Sequence, residues 1–162
     1  MPKKTPDHGF ILDRHDRAIL RIVQRDNKIP QRSIAEQVNL SAAAVQRRIA
    51  ALEAAGIIAA NVAIVDPNAV SATITAIVEV HLKDERAATV DGAKALFRET
   101  AEVQQCFYVT GGISFILIII AADMRSYEGL TRRLFAENEL VESFRTLVAL
   151  DRVKTDTAIV VP

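Results

Sequence analysis

Two changes of pattern along the chain predict an α+β protein of two parts. Apolar residues recur at helical spacing up to Gly56, and from Ile74 onward they alternate as on a strand before helical spacing returns. Charge divides in the same place. Residues 1–65 carry ten Lys/Arg against six Asp/Glu, residues 66–162 ten against fourteen, so an overall balance of 20 and 20 hides a basic front and an acidic back. Such asymmetry is expected where one part meets a polyanion and the other does not.

The 162 residues are 50% hydrophobic and 25% charged, enough to bury a core and too apolar for a disordered chain. The longest apolar run, Phe115 to Ala122, is too short for a membrane-spanning helix. No apolar stretch follows the charged, Pro-bearing start, so no secretory leader is expected and a cytoplasmic location is. A single cysteine, Cys106, fits a reducing compartment and reads as a buried small hydrophobe. Three scattered histidines give no zinc spacing, so no metal and no cofactor is expected.

Residues 1–10, with Pro2, Pro6 and Gly9, read as a flexible arm in which Lys3 and Lys4 add nonspecific attraction to a polyanion. A first helix starts near Leu12-Asp13, with Ile19, Ile22 and Val23 inward, and ends at Asp26 to Pro30. A short second helix, Gln31 to Val38, buries Ile34, Ala35 and Val38. Asn39-Leu40-Ser41 breaks it, and Ser41 is suited to cap a third helix, Ala42 to Ala55. Gly56 suits the left-handed position that closes that helix. Val45, Ile49 and Leu52 share one stripe of it, while Ala43, Gln46, Arg47 and Ala50 lie opposite. Ile57 to Val65 is β-like, and Asp66-Pro67-Asn68 is a turn.

Beyond residue 71, Ile74 to Leu82 alternates as a strand. Lys83 to Thr100 is a helix with Ala87, Val90, Leu96 and Phe97 inward, and Val103 to Thr110 is a strand. Gly111-Gly112 turns the chain into Ser114 to Ala122, a strand apolar on both faces and therefore central. A helix over Ser126 to Asn138 and a strand over Val141 to Val153 complete the order βαββαβ. That is a ferredoxin-like arrangement with both helices on one side of the sheet. The other face needs cover, most simply from a second copy, so an oligomer is expected.

Three helices, the last two joined by a tight turn, followed by a β-hairpin make a winged helix-turn-helix. Its third helix can enter the major groove with the residues at its N-terminal end against base edges. Gln46 suits adenine, Arg47 suits guanine or phosphate, and the methyls of Ala42, Ala43 and Ala44 suit thymine. Ser41 and the helix-start amides suit a phosphate. Arg48 lies beside the core stripe and has two readings, a brace to a nearby carboxylate and a phosphate contact. The expected DNA set is Ser41, Ala42, Ala43, Ala44, Gln46, Arg47, Arg48 and Arg32. Three alanines carry little hydrogen-bond information, so a degenerate preference with DNA shape contributing is expected. Thr110-Gly111-Gly112 followed by Ser114 has two readings as well, a plain hairpin turn and a small-molecule pocket at a seam between subunits. No nucleophile–base set, phosphate-cradling loop or carboxylate cluster marks an enzyme.

The stretches Leu12-Asp13-Arg14-His15-Asp16, Ile34-Ala35-Glu36, Leu40-Ser41, Val45-Gln46-Arg47-Arg48-Ile49, Leu52-Glu53 and Gly56-Ile57-Ile58 resemble Lrp/AsnC (feast/famine) transcriptional regulators. So do Val103, Cys106, Val109-Thr110-Gly111, Asp123, Tyr127, Phe144-Arg145-Thr146 and Lys154, giving a resemblance from Leu12 to Lys154. It implies a DNA-binding domain at 11–58, a linker strand and turn at 59–70, a regulatory and oligomerisation domain at 71–155, and a tail at 156–162. It also implies dimers that build octamers on double-stranded DNA, and an amino acid or related metabolite as effector. That effector is expected at Thr110, Gly111, Gly112 and Ser114.

One position departs from the family pattern Thr-Gly-x-x-Asp-Tyr, because Ser114 stands where the acidic residue is frequent. A carboxylate there would suit an α-ammonium group, whereas Ser114 offers a neutral hydroxyl. The function expected is a transcription regulator controlling amino-acid or related metabolism. The alternative is an ACT-like metabolic sensor acting through protein partners.

Overall fold

The computed structural model describes residues 9–162, so the arm expected over 1–10, with Lys3 and Lys4, lies almost wholly outside the described residues. The chain forms two compact units, one of residues up to Ile64 together with Thr155–Pro162, the other Val65–Lys154.

The first unit holds α1 (Arg14–Val23), α2 (Gln31–Val38) and α3 (Ala42–Ala54). A capping box starts α1. The Asp13 carboxylate accepts from the Asp16 amide at 2.8 Å, and the Asp16 carboxylate accepts from the Asp13 amide at 3.1 Å. Asn39, at φ 53°, ends α2 in the left-handed region, and Ser41 caps α3 by accepting from the Ala44 amide at 3.2 Å. At the far end Gly56 adopts φ 72°, and the amides of Gly56 and Ile57 return to the carbonyls of Glu53 and Leu52. That is the glycine closure the sequence predicts. Ile19, Ile34, Ala35, Val38 and Val45 form the core between the three helices. The tail joins this unit: the Gln24 side-chain amide both donates to and accepts from the Ile159 backbone, at 2.9 and 3.1 Å.

The β-hairpin expected after α3 does not form. Between Gly56 and Ile74 the structure has no strand, only a bend, backbone without regular structure and a 3₁₀ turn at Pro67–Val70. The β-like residues Val62, Ile64 and Val65 are exposed. Extended backbone becomes a strand only when another strand takes its amides and carbonyls.

In the second unit β1 (Ile74–Leu82), β2 (Val103–Tyr108), β3 (Phe115–Ala121) and β4 (Val141–Val148) form one antiparallel sheet in the order β2-β3-β1-β4. The helices are α4 (Ala87–Glu99) and α5 (Met124–Thr131), the latter running into a π-helical turn at Arg132–Ala136. This is the predicted βαββαβ order. Val78, Val80, Phe115, Leu117 and Ile119 face the core with Phe97, Leu134 and Phe135. The Phe97 and Phe115 rings meet edge to face at 5.3 Å between centroids, the geometry their quadrupoles favour.

Three expectations need correction here. The first helix of this unit starts at Ala87, not Lys83, and Ala87 is exposed while Ala93 takes the inward place. The cause is Asp84, whose carboxylate accepts from the Arg86 amide and the Thr89 hydroxyl and bends 83–86 into a turn. The last strand stops at Val148 rather than Val153. Its neighbour β1 begins at Ile74, and the bond from the Ala149 amide to the Thr75 carbonyl is the last the ladder offers. Cys106 is exposed rather than buried, because β2 is an edge strand whose residues from Gln104 onward lie uncovered.

The face of the sheet away from the helices carries Ile77, Ile116, Ile118, Phe107 and Leu147, around an Arg145–Glu79 ion pair at 2.7 Å. Phe107 is 50% exposed and Leu147 47%.

Candidate functional site

Two places concentrate chemistry, one in each unit. In the first, the core takes Val45 and Leu52 of α3 and half-buries Ile49, which turns Ala42, Ala43, Gln46, Arg47 and Ala50 to solvent. Ser41 is exposed at the head of the helix, and Ala44 is half-buried. The first backbone bond of α3 reaches back from Val45 to Ser41, so the amides of Ala42 and Ala43 precede the helical ladder. With the helix dipole they favour an anion.

Arg47 and Arg48 are adjacent and differ in what they touch. Among the described residues the side chains of Arg47 and Gln46 take part in no hydrogen bond or ion pair. Arg48 points back to α1, where its Nη1 lies 2.7 Å from Asp16 Oδ1 and 2.8 Å from Asp13 Oδ2. Of the two readings the sequence leaves open, these distances fit the brace to a carboxylate. Bonds from the Asp16 amide, then from Arg48, hold the Asp13 carboxyl at about 2. Arg32, on α2, reaches Glu36 only at 3.5 Å with both side chains solvated. Such a pair competes weakly with a phosphate.

The second place is the turn between β2 and β3. Gly111 and Gly112 adopt φ 105° and 89°, in the region that favours glycine. The bond from the Val109 amide to the Ser114 carbonyl closes the loop. The turn borders an open pocket of about 460 Å³ whose other walls include His81, Leu82, Glu85, Tyr108 and Glu142. Thr110, Gly111 and Gly112 are exposed at its edge, whereas Ser114 is only 5% exposed.

The Ser114 hydroxyl both accepts and donates. Its oxygen accepts from the Leu82 amide at 3.0 Å, and its O–H donates to Glu85 Oε1 at 2.6 Å. Glu85 Oε2 accepts from the Tyr108 hydroxyl at 2.7 Å. The Ser114 bond, then the Tyr108 bond, lowers the Glu85 carboxyl below its usual value, and the same carboxylate raises the Tyr108 phenol. Lys94 Nζ sits over the face of the Tyr108 ring, 4.7 Å from its centroid.

Sequence reasoning placed Thr110, Gly111, Gly112 and Ser114 here and missed Glu85 and Tyr108. Treating Lys83 as the start of a helix put Glu85 on a helix surface. The available signal was Asp84, a turn-forming residue just ahead of the helix.

Comparison with known proteins covers most of the chain. Residues 12–59 match the family model described as winged helix-turn-helix DNA-binding, and residues 75–159 match that of the Lrp/AsnC ligand binding domain. An HTH-type transcriptional regulator of Sinorhizobium fredii is 46% identical over 153 residues, 94% of this chain and 90% of that protein. The crystal structure of an AsnC family transcriptional regulator from Agrobacterium tumefaciens superposes with a TM-score of 0.85 at 27% identity, covering 91% of this chain and 96% of that one. A transcriptional regulator of Neisseria meningitidis, solved as a complex with L-methionine, also gives 0.85, at 25% identity over 92% of this chain and 96% of its own.

Proposed function

This chain belongs to the Lrp/AsnC family of transcriptional regulators, and from that premise we propose how it divides the work between its two units. It is a DNA-binding regulator with a domain for a small-molecule effector. Duplex DNA lies against α3, where Ser41 and the amides of Ala42 and Ala43 hold a phosphate. Gln46 and the methyls of Ala42, Ala43 and Ala44 face bases, and Arg47 and Arg32 supply cationic contacts. The observation that carries this reading is the contrast within one dipeptide: Arg48 pairs with two carboxylates, while the exposed Arg47 side chain has no partner among the described residues. Residues 12–59 match a DNA-binding family model, which removes the ground for a sensor acting only through proteins.

The effector is a metabolite of amino-acid character, received at Thr110, Gly111 and Gly112, with the genes of related metabolism under control. The relative solved with L-methionine supports this class. The open apolar sheet face supports a dimer formed with a second copy, and family membership supports assembly to octamers. Among the described residues no helix is long and apolar enough to cross a membrane, and a chain that works on DNA acts in the cytoplasm.

Fluorescence anisotropy with duplexes from the protein's own upstream region tests the DNA interface. Arg47→Ala is expected to weaken binding to all sequences and to flatten the log–log salt dependence by about one unit. An unchanged slope and affinity would remove Arg47 from the interface.

A further inference from the structure

The pocket beside the Gly111-Gly112 turn contains no lysine or arginine, and its charged walls are Glu85 and Glu142. Two carboxylates repel a purely anionic ligand and favour one carrying a cation. Glu85 is the better placed of the two. Both its oxygens are fixed by hydroxyl donors, and each oxygen keeps a lone pair for a further donor. Ser114 is the weaker partner for an ammonium: its proton goes to Glu85, one lone pair takes the Leu82 amide, and the lone pair that remains carries no charge.

We infer that Glu85 is the residue that selects the effector by binding its ammonium group, with Ser114 and Tyr108 as positioning residues that hold the carboxylate in place. The family pattern has its acidic residue frequently at the position of Ser114. Here the carboxylate arrives from the turn ahead of α4 and reaches the same hydroxyl, so the anion that the turn itself lacks comes from 29 residues earlier in the chain. The ligand class is a primary ammonium compound that also carries a carboxylate. Its anionic end faces the exposed turn at Thr110, Gly111 and Gly112, and its cationic end faces Glu85.

The same geometry gives Ser114→Asp a definite sign. The new carboxylate would stand against Glu85 at the distance of the present hydrogen bond, where like charges repel. From the sequence alone that substitution looks like a gain for α-amino acids; in the folded chain it is a loss unless Glu85 is neutralised too.

This inference rests on the effector reading of the turn, and calorimetry separates the two. The full-length protein is titrated with each common L-α-amino acid. The tightest is then compared with its α-hydroxy acid analogue, which lacks the ammonium. The wild type is expected to prefer the amino acid by about tenfold or more, the value of one charge-assisted bond. Glu85→Gln keeps the shape and one accepted hydrogen bond, with its NH2 facing a hydroxyl that turns to accept, and is expected to abolish that preference, with the hydroxy acid little affected. Far-UV circular dichroism and an unfolding midpoint for Glu85→Gln that match the wild type serve as the folding control, and Tyr108→Phe, which removes one holder of the carboxylate, should weaken the preference without abolishing it. Ser114→Asp should weaken binding, and Ser114→Asp with Glu85→Gln should restore it. If Glu85→Gln keeps the preference, Glu85 is not the ammonium site while the effector pocket stands. If only hydroxy acids bind the wild type, the ligand class is wrong. If neither class binds, this inference and the effector reading fall together.

Discussion

The Arg48 guanidinium lies 2.7 Å from Asp16 Oδ1, and Asp16 is only 5% exposed on a helix 32 residues earlier. The contact ties the third helix to the first turn of α1, where Asp16 also closes the capping box. One ion pair therefore positions the exposed face of α3 and removes a cation from it.

Removing that cation should cost stability before it costs DNA affinity. A buried pair stripped of one partner loses about 3–5 kcal/mol; the partial exposure of Arg48 and the bond Asp16 keeps with the Asp13 amide bring this to about 2 kcal/mol. Urea unfolding of Arg48→Ala should show that loss, with Arg47→Ala within about 0.5 kcal/mol of the parent. Equal effects of the two substitutions would contradict the division of labour between the neighbours.

Acid should act on the same corner. The folded Asp13 carboxyl sits at about 2 against an ordinary 3.8, so the fold favours its ionised form. The stability from this group is complete above the ordinary value and is lost as pH falls toward the folded one. Urea midpoints across roughly pH 6 to pH 2 should therefore drop mainly below about pH 4. Asp13→Asn, which still caps the helix, should make the drop shallower. A slope unaltered by the substitution would assign the acid sensitivity elsewhere.

The open sheet face makes a prediction about assembly. Ile118 lies at its centre, opposite Ile77 on one neighbouring strand and Gln105 on the other. An aspartate there exposes no new core but would bury a charge against a second copy. Light scattering of Ile118→Asp should give a smaller assembly than the parent, with far-UV circular dichroism preserved. An unchanged mass would mean that copies associate through another surface.

Much of the local structure was legible in the residues. The limits of α2, the Ser41 cap, the Gly56 closure and the alternation of β1 all depend on neighbours within a few positions, where propensity and spacing act directly. The readings that changed depend on distant partners. Ile57 to Val65 has strand-like residues and no strand beside it, Cys106 has a strand and no cover, and Ala87 lost its inward place to a turn fixed by Asp84. The residues of the candidate pocket divide in the same way. Thr110, Gly111 and Gly112 stand together in the chain and were visible as a unit. Glu85 joins them only because β1 and β3 are adjacent in the sheet.

By itself, then, the sequence determined an α+β chain of two units, the three helices of the first, the βαββαβ order of the second, and the helix and turn on which the proposed function rests. Each of these follows from periodicity or from a short motif. Which arginine is held by carboxylates, and which carboxylate lines the pocket, only the tertiary structure decided. Both depend on pairings across about thirty residues, set by how helices and strands pack and carrying no periodic signature in the chain.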